Sequence, residues 1–92
     1  MSKEEILEQV ISILREHEAF YTKDGDYIIP DVRASMNTRL RRDLALDSLD
    51  VAMISVDVEF AFNVKINDEK VEDFLTVGDI VEEVFNQLEL KK

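Results

Sequence analysis

Ninety-two residues with 46% apolar content, two glycines and one proline make one modest core and leave most of the chain free for regular structure, which excludes two compact units and extensive disorder. The absence of cysteine excludes a disulfide framework, a zinc–thiolate site and a thiol nucleophile of the chain's own. The net charge of −10 is concentrated in residues 43–92, where thirteen acids meet four bases, against eight and seven in residues 1–42; such a field repels nucleic acid and anionic lipid, and either keeps the surface solvated or steers it to basic patches on other proteins.

Ile6, Val10, Ile13 and Leu14 recur at three- and four-residue spacings among Glu4, Glu5, Glu8 and Glu16, which predicts an amphipathic helix from about residue 3 to 17. Ser2 is placed to cap it, with Glu5 completing a capping box. No stretch approaches the roughly 18 apolar residues of a membrane span, so the expected address is the cytoplasm. From about residue 18 to 37 the periodicity lapses into a long loop punctuated by Asp24-Gly25, Pro30 and Asn37-Thr38. Phe20-Tyr21-Thr22-Lys23 and Tyr27-Ile28-Ile29 flank Asp24-Gly25 as in a small hairpin. Asp24 and Asp26 lack the other ligands of an EF-hand, and a turn accounts for them.

After Asp47-Ser48, a good helix start, two periods conflict. Ile54, Val56, Val58, Phe60, Phe62, Val64 and Ile66 alternate like a half-buried strand. Yet Leu49, Met53, Val56 and Phe60 share one helical face, and Ile54, Val58, Ala61 and Phe62 a neighbouring one. Glu69 to Phe74 has length for one or two helical turns. Thr76 then caps a helix of about twelve residues marked by Val77, Ile80, Val81, Val84, Phe85 and Leu88, with a frayed tail over residues 89–92 in which Lys91 and Lys92 face the negative helix end.

Catalytic constellations lack parts. The one histidine, His17, ends the first predicted helix and reads as a surface residue; no Gly-x-Ser-x-Gly, phosphate-cradling glycine loop or metal-ligand spacing occurs. What stands out is Asp43-Leu44-Ala45-Leu46-Asp47-Ser48-Leu49-Asp50, where a polar Asp-Ser pair breaks an apolar run and opens a helix. On composition and spacing alone, capping and a functional hydroxyl are equally good readings of that pair.

This stretch resembles the acyl carrier proteins, whose signature is Asp-Ser-Leu at the start of the second helix, usually after Asp-Leu-Gly. The resemblance runs on through Glu59-Phe60-Ala61-Phe62, Val64-Lys65-Ile66, a short third helix and a fourth opening at Thr76-Val77, covering essentially the whole chain. It implies an all-α, four-helix bundle with a long first loop and a short third helix, a single domain over residues 1–92, monomeric and without catalytic residues or metal. It implies that Ser48, flanked by Asp47 and Leu49, carries a 4'-phosphopantetheine arm installed by a separate transferase, and that acyl thioesters on the arm's thiol are presented to enzymes of fatty acid or related acyl biosynthesis. Asp47, Asp50, Met53, Asp57 and Glu59 become the surface that docks basic patches on partner enzymes, and Met53, Val58, Phe62, Phe74 and Val77 become candidates for an acyl pocket.

Three departures separate the chain from the family's usual pattern. Ala45-Leu46 replaces a Gly-containing pair, Met53 stands where a docking acid is common, and Arg39, Arg41 and Arg42 precede the motif, after a loop longer by roughly a dozen residues. The alternatives are a peptidyl or aminoacyl carrier and an unmodified acidic adaptor in which Ser48 is only a cap.

Overall fold

A computed structural model describes residues 1–22, 24–26, 28 and 33–91. Four helices follow in order: α1 (Lys3–Glu16), α2 (Ser48–Phe62), α3 (Asp68–Glu72) and α4 (Val77–Leu90). Helix α1 packs against α4 and α2, and α3 packs against α2. No strand forms among the described residues.

Local chemistry sets each helix start. Ser2 Oγ accepts from the Glu5 N–H at 3.2 Å while the Glu5 carboxylate accepts from the Ser2 N–H at 3.0 Å, so two donors that a helix leaves unpaired are satisfied reciprocally. Those hydrogen bonds to Ser2 hold the Glu5 carboxyl below its usual range. Thr76 and Asp79 form the same device on α4, where the Asp79 carboxylate also accepts from the Leu75 N–H at 2.8 Å.

The core is one apolar cluster. Ile6, Val10, Ile13 and Leu14 from α1 meet Val77, Ile80, Val81 and Val84 from α4, and Val51, Ile54, Val58 and Phe62 from α2 close the third side. At the surface Lys3 ties α1 to α4, pairing with Glu82 at 2.9 Å and standing over the Phe85 ring at 5.0 Å.

The segment after Ser48 is helical throughout, and the two periods of its sequence have a common origin. Ile54, Val58 and Phe62 point into the core. Leu49, Met53, Val56 and Phe60 point out, 68%, 51%, 48% and 83% exposed. Two interleaved i, i+4 series offset by two residues write a strand-like alternation onto a helix. Ala61, expected with the inner series, is exposed. Helix α2 ends at Asn63, which takes a left-handed conformation (φ 52°) as a C-cap. Val64 and Ile66 then turn back into the core.

Helix α4 runs two residues beyond the predicted end, through Leu90. Its cap, Lys91, donates to the Asn63 carbonyl at the end of α2 rather than lying against its own helix terminus. Lys92 lies outside the described residues.

In the first loop, Ala19 and Phe20 are buried. The turn at Asp24-Gly25 is present: Gly25 has φ 88° and donates to the Thr22 carbonyl at 3.0 Å, and the Thr22 N–H donates to the Asp26 carbonyl at 2.7 Å. The Ile28 N–H reaches the Phe20 carbonyl at 2.8 Å. Lys23, Tyr27 and Ile29, which the expected hairpin also needs, lie outside the described residues, as does Pro30.

The second half of the loop is fastened to the start of α4. Arg39 and Thr76 form an antiparallel bridge, flanked by hydrogen bonds from the Leu40 N–H to the Leu75 carbonyl (2.9 Å), from Val77 to Thr38 (2.9 Å) and from Gly78 to Met36 (2.8 Å). A Cβ at position 78 would stand 2.7 Å from the Met36 carbonyl oxygen, so the close approach requires glycine.

Candidate functional site

The approach to Ser48 is a turn built on two buried leucines. Leu40 and Leu44 anchor it in the core, and the Asp43 and Leu44 N–H groups both donate to the Arg39 carbonyl, at 3.0 and 3.2 Å. Asp43 returns the contact, accepting from the Arg39 N–H at 2.8 Å and from its guanidinium at 2.9 Å. The Arg39 guanidinium, with that backbone N–H, holds the Asp43 carboxyl below the usual carboxylate range. Ala45, in the pair that replaces the family's usual Gly-containing one, then takes a left-handed conformation (φ 56°), where its Cβ costs about 1 kcal/mol. The Leu46 N–H closes the turn on the Leu40 carbonyl at 3.0 Å.

Asp47 is the N-cap of α2. Its carboxylate accepts from the Asp50 N–H at 2.8 Å, and Asp50 accepts from the Asp47 N–H at 3.0 Å. The Asp50 N–H, foremost, holds the Asp47 carboxyl below its usual range, with the Leu49 N–H and the charge of Arg41 acting the same way. Ser48 is thus the first residue of the helix, exposed, on backbone fixed from both sides. Its Oγ accepts a hydrogen bond from Arg41 Nη2 at 2.8 Å. Capping and a free hydroxyl coexist, because the capping falls to Asp47 and leaves Ser48 outward.

A cleft of about 350 Å³ opens beside that hydroxyl, between α2 and α3, lined by Arg41, Ser48, Val51, Ala52, Asp68, Val71 and Glu72. A larger groove of about 460 Å³ lies elsewhere around the motif loop, lined by residues such as Tyr21, Leu44, Leu46 and Asp50, and Ser48 does not reach it. The five residues expected to border an acyl pocket divide between the core and the surface. Val58, Phe62, Phe74 and Val77 are packed in the core, and Met53 is out on the exposed face of α2. The apolar side chains that meet Ser48 at the cleft are Val51, Ala52 and Val71, which the sequence pattern did not single out.

Each of the expected docking acids also makes a contact within the chain. Asp47 and Asp50 cap each other's backbone. Asp57 pairs with His17 at 2.5 Å, joining the end of α1 to α2 and giving the lone histidine a structural role. Glu59 accepts from the Ile66 N–H at 2.9 Å, holding the turn after α2. Met53, by contrast, has company: with Leu49, Val56 and Phe60 it makes a continuous apolar stripe along α2 that begins next to Ser48.

No imidazole or carboxylate among the described residues is hydrogen-bonded to Ser48 Oγ, and a hydroxyl at a helix start beside an arginine and an open cleft suits covalent attachment of a group rather than attack on a substrate. The class of protein that the fold and site define is therefore a small helical bundle with an exposed serine at a helix start, set beside an arginine and a cleft. Residues 29–84 match the family described as phosphopantetheine attachment site. An acyl carrier protein of Thermotoga maritima is 36% identical over 87 residues, covering 95% of this chain and 96% of that protein. One from Phytoplasma australiense is 45% identical over 47 residues, 51% of this chain and 62% of the relative, so that match spans less than two thirds of the relative's length. The crystal structure of an acyl carrier protein from Thermotoga maritima matches the fold with a TM-score of 0.78 over 100% of this chain and 96% of its own, at 20% identity.

The chain belongs to the acyl carrier protein family. Its members are carriers rather than enzymes, its cofactor is 4'-phosphopantetheine, and its partners include the transferase that installs the arm and acyl-processing enzymes. No helix among the described residues is long and apolar enough to cross a membrane.

Proposed function

We propose that Ser48 is the residue that bears the phosphopantetheine arm and that this cytoplasmic, monomeric carrier presents acyl thioesters of fatty acid or related acyl biosynthesis through it. The observation that carries this reading is the exposed Ser48 hydroxyl, at the first residue of α2, one residue past the N-cap Asp47 and after a loop fastened to α4. The positive end of α2 and the Arg41 guanidinium both favour a phosphodiester at that point. In loading, the Ser48 Oγ–P bond forms as the pyrophosphate P–O bond of coenzyme A breaks, the hydroxyl proton passes to the transferase, and the nucleotide portion leaves with the bonding electrons. The cleft between α2 and α3, with Val51, Ala52 and Val71 as its apolar wall, receives the arm where it leaves Ser48.

Partner enzymes dock on the apolar stripe Leu49, Met53, Val56 and Phe60. An enzyme acting on the arm must cover the surface around Ser48, and the stripe starts at the next residue. A second copy of the chain is a poor occupant, since it would bring one net charge of −10 onto another. The partner surface is accordingly an apolar groove rimmed by basic side chains, for which Asp50 and Asp57 at the stripe's edges provide the opposite charge.

Intact mass spectrometry after incubation with coenzyme A and a broad-specificity phosphopantetheinyl transferase tests the attachment point. Wild type gains one phosphopantetheinyl mass and Ser48→Ala gains none; loading of Ser48→Ala would remove Ser48 from its role. Competitive loading with acyl and aminoacyl derivatives of coenzyme A, followed by transfer to partner synthases, separates an acyl carrier from a peptidyl or aminoacyl one.

A further inference from the structure

The three arginines ahead of the motif have separate environments. Arg39 is committed to Asp43, with its Nε 3.3 Å from both carboxylate oxygens and its Nη2 at 2.9 Å. Arg42 is exposed and does not line the cleft beside Ser48. Arg41 lines that cleft and places Nη2 2.8 Å from Ser48 Oγ. Its backbone is held on both sides by buried leucines, Leu40 bonded to Leu75, so the guanidinium extends from a fixed frame.

Resting on Ser48 as the attachment point, we propose that Arg41 is a positioning residue that grips the phosphodiester of the arm and directs the arm into the cleft between α2 and α3. A phosphodiester on Oγ puts its two non-bridging oxygens two bonds beyond the atom Arg41 already contacts. A guanidinium offers five N–H donors in a planar fork that matches two such oxygens, so the single hydrogen bond to the hydroxyl becomes a charge-assisted pair. The surroundings make this cation necessary. Asp47 and Asp50 stand at the start of α2 and Asp68 and Glu72 line the opposite wall, so the anionic phosphodiester otherwise sits among four carboxylates. Arg41 is the one cation among the described residues that line the cleft. With the phosphate drawn to Arg41, the arm leaves Ser48 toward Val51, Ala52 and Val71 rather than into solvent.

The test uses the loaded protein and phosphorus NMR, with mass spectrometry first confirming the arm on each variant. In Arg41→Ala the phosphodiester resonance moves toward that of free phosphopantetheine and its line narrows; Arg41→Lys, which keeps the charge but not the fork, lies between; Arg42→Ala matches wild type. A loaded Arg41→Ala protein with the wild-type resonance and linewidth would overturn the grip while leaving Ser48 as the attachment point. Failure of wild type to gain the arm would instead remove the Ser48 reading. A readout without any variant guards against poor loading of Arg41→Ala: in wild type the Arg41 Nε–H resonance moves when the arm is installed and that of Arg42 does not, whereas an unmoved Arg41 signal also overturns the grip.

Discussion

Helices α2 and α4 are nearly equal in length, and each is opened by a reciprocal cap, yet they distribute their apolar residues differently. In α4, Val77, Ile80, Val81 and Val84 are buried while Glu82, Asn86 and Glu89 face solvent. In α2, Val51, Ile54, Val58 and Phe62 supply a similar inner face, and the outer face carries Leu49, Met53, Val56 and Phe60. Apart from the exposed Leu90 at its last position, the sequence of α4 is explained by the fold alone. That of α2 satisfies the fold once and then repeats apolar residues where the fold has no use for them, which a helix facing only water has no reason to do.

The sharpest way to break this comparison is to truncate each series on α2. Ile54→Ala removes a fully packed side chain and lowers unfolding free energy by about 2–5 kcal/mol. Phe60→Ser, six residues further along but on the outer face, changes it by about 0.5 kcal/mol or less. Denaturant unfolding of the two variants measures both; equal losses would mean that the outer stripe is packed in solution and belongs to the fold.

The next largest effect concerns the start of α4, where the loop before Ser48 is fastened. Gly78→Ala drives a Cβ into the Met36 carbonyl and lowers stability by about 1–3 kcal/mol, read as a lower Tm. Because the seam between residues 36–40 and 75–78 holds the motif loop, amide exchange in this variant rises first in Leu40–Leu46. Exchange that rises uniformly would show the loop to be held by something other than the seam.

The smallest effect separates the two helix starts by pH. The Asp47 carboxyl is held below its usual range chiefly by the Asp50 N–H, so its folded pKa lies under the unfolded value. Its contribution is present in full above the ordinary carboxylate range and is lost as pH falls through the lowered folded value. The Tm advantage of wild type over Asp47→Ala is therefore constant above about pH 5 and shrinks below about pH 4. An advantage independent of pH would mean that Asp47 acts through something other than its charge. Thr76 does not titrate, so the corresponding advantage over Thr76→Ala lacks this dependence on its own account.

How much of this was legible beforehand differs along the same lines. Helices α1 and α4 were readable because one face of each does one job, and Ser2, Glu5 and Thr76 announced their starts. Helix α2 was ambiguous because two i, i+4 series superimpose on one segment and imitate a strand. The Asp-Ser start and the position of Ser48 could be read, since capping chemistry is local. The uses of Asp57 and Glu59 could not: their partners, His17 and the Ile66 N–H, are forty and seven residues away, and an acid on a helix face looks the same whether it meets a histidine or water. The core positions of Val58, Phe62, Phe74 and Val77 were apolar signals of the right kind, but only the packing of α3 against α2 determines which apolar atoms border the cleft. The arginine cluster was visible as a departure from the family, and its division into Arg39 on Asp43 and Arg41 on Ser48 needed the turn between Leu40 and Leu44.

The most direct test of α2 as a helix with one face for the core and one for a partner is steady-state loading by a phosphopantetheinyl transferase, with coenzyme A saturating and the carrier varied. Met53→Gln combined with Phe60→Ser adds no charge and leaves Ser48, Arg41 and the caps intact. The stripe as docking surface predicts a KM raised about tenfold, the loss of roughly 1.4 kcal/mol expected for a buried aromatic contact, with kcat nearly unchanged and the Tm of wild type. An unchanged KM in a folded variant would contradict it, and would return partner recognition to the acids and the motif loop.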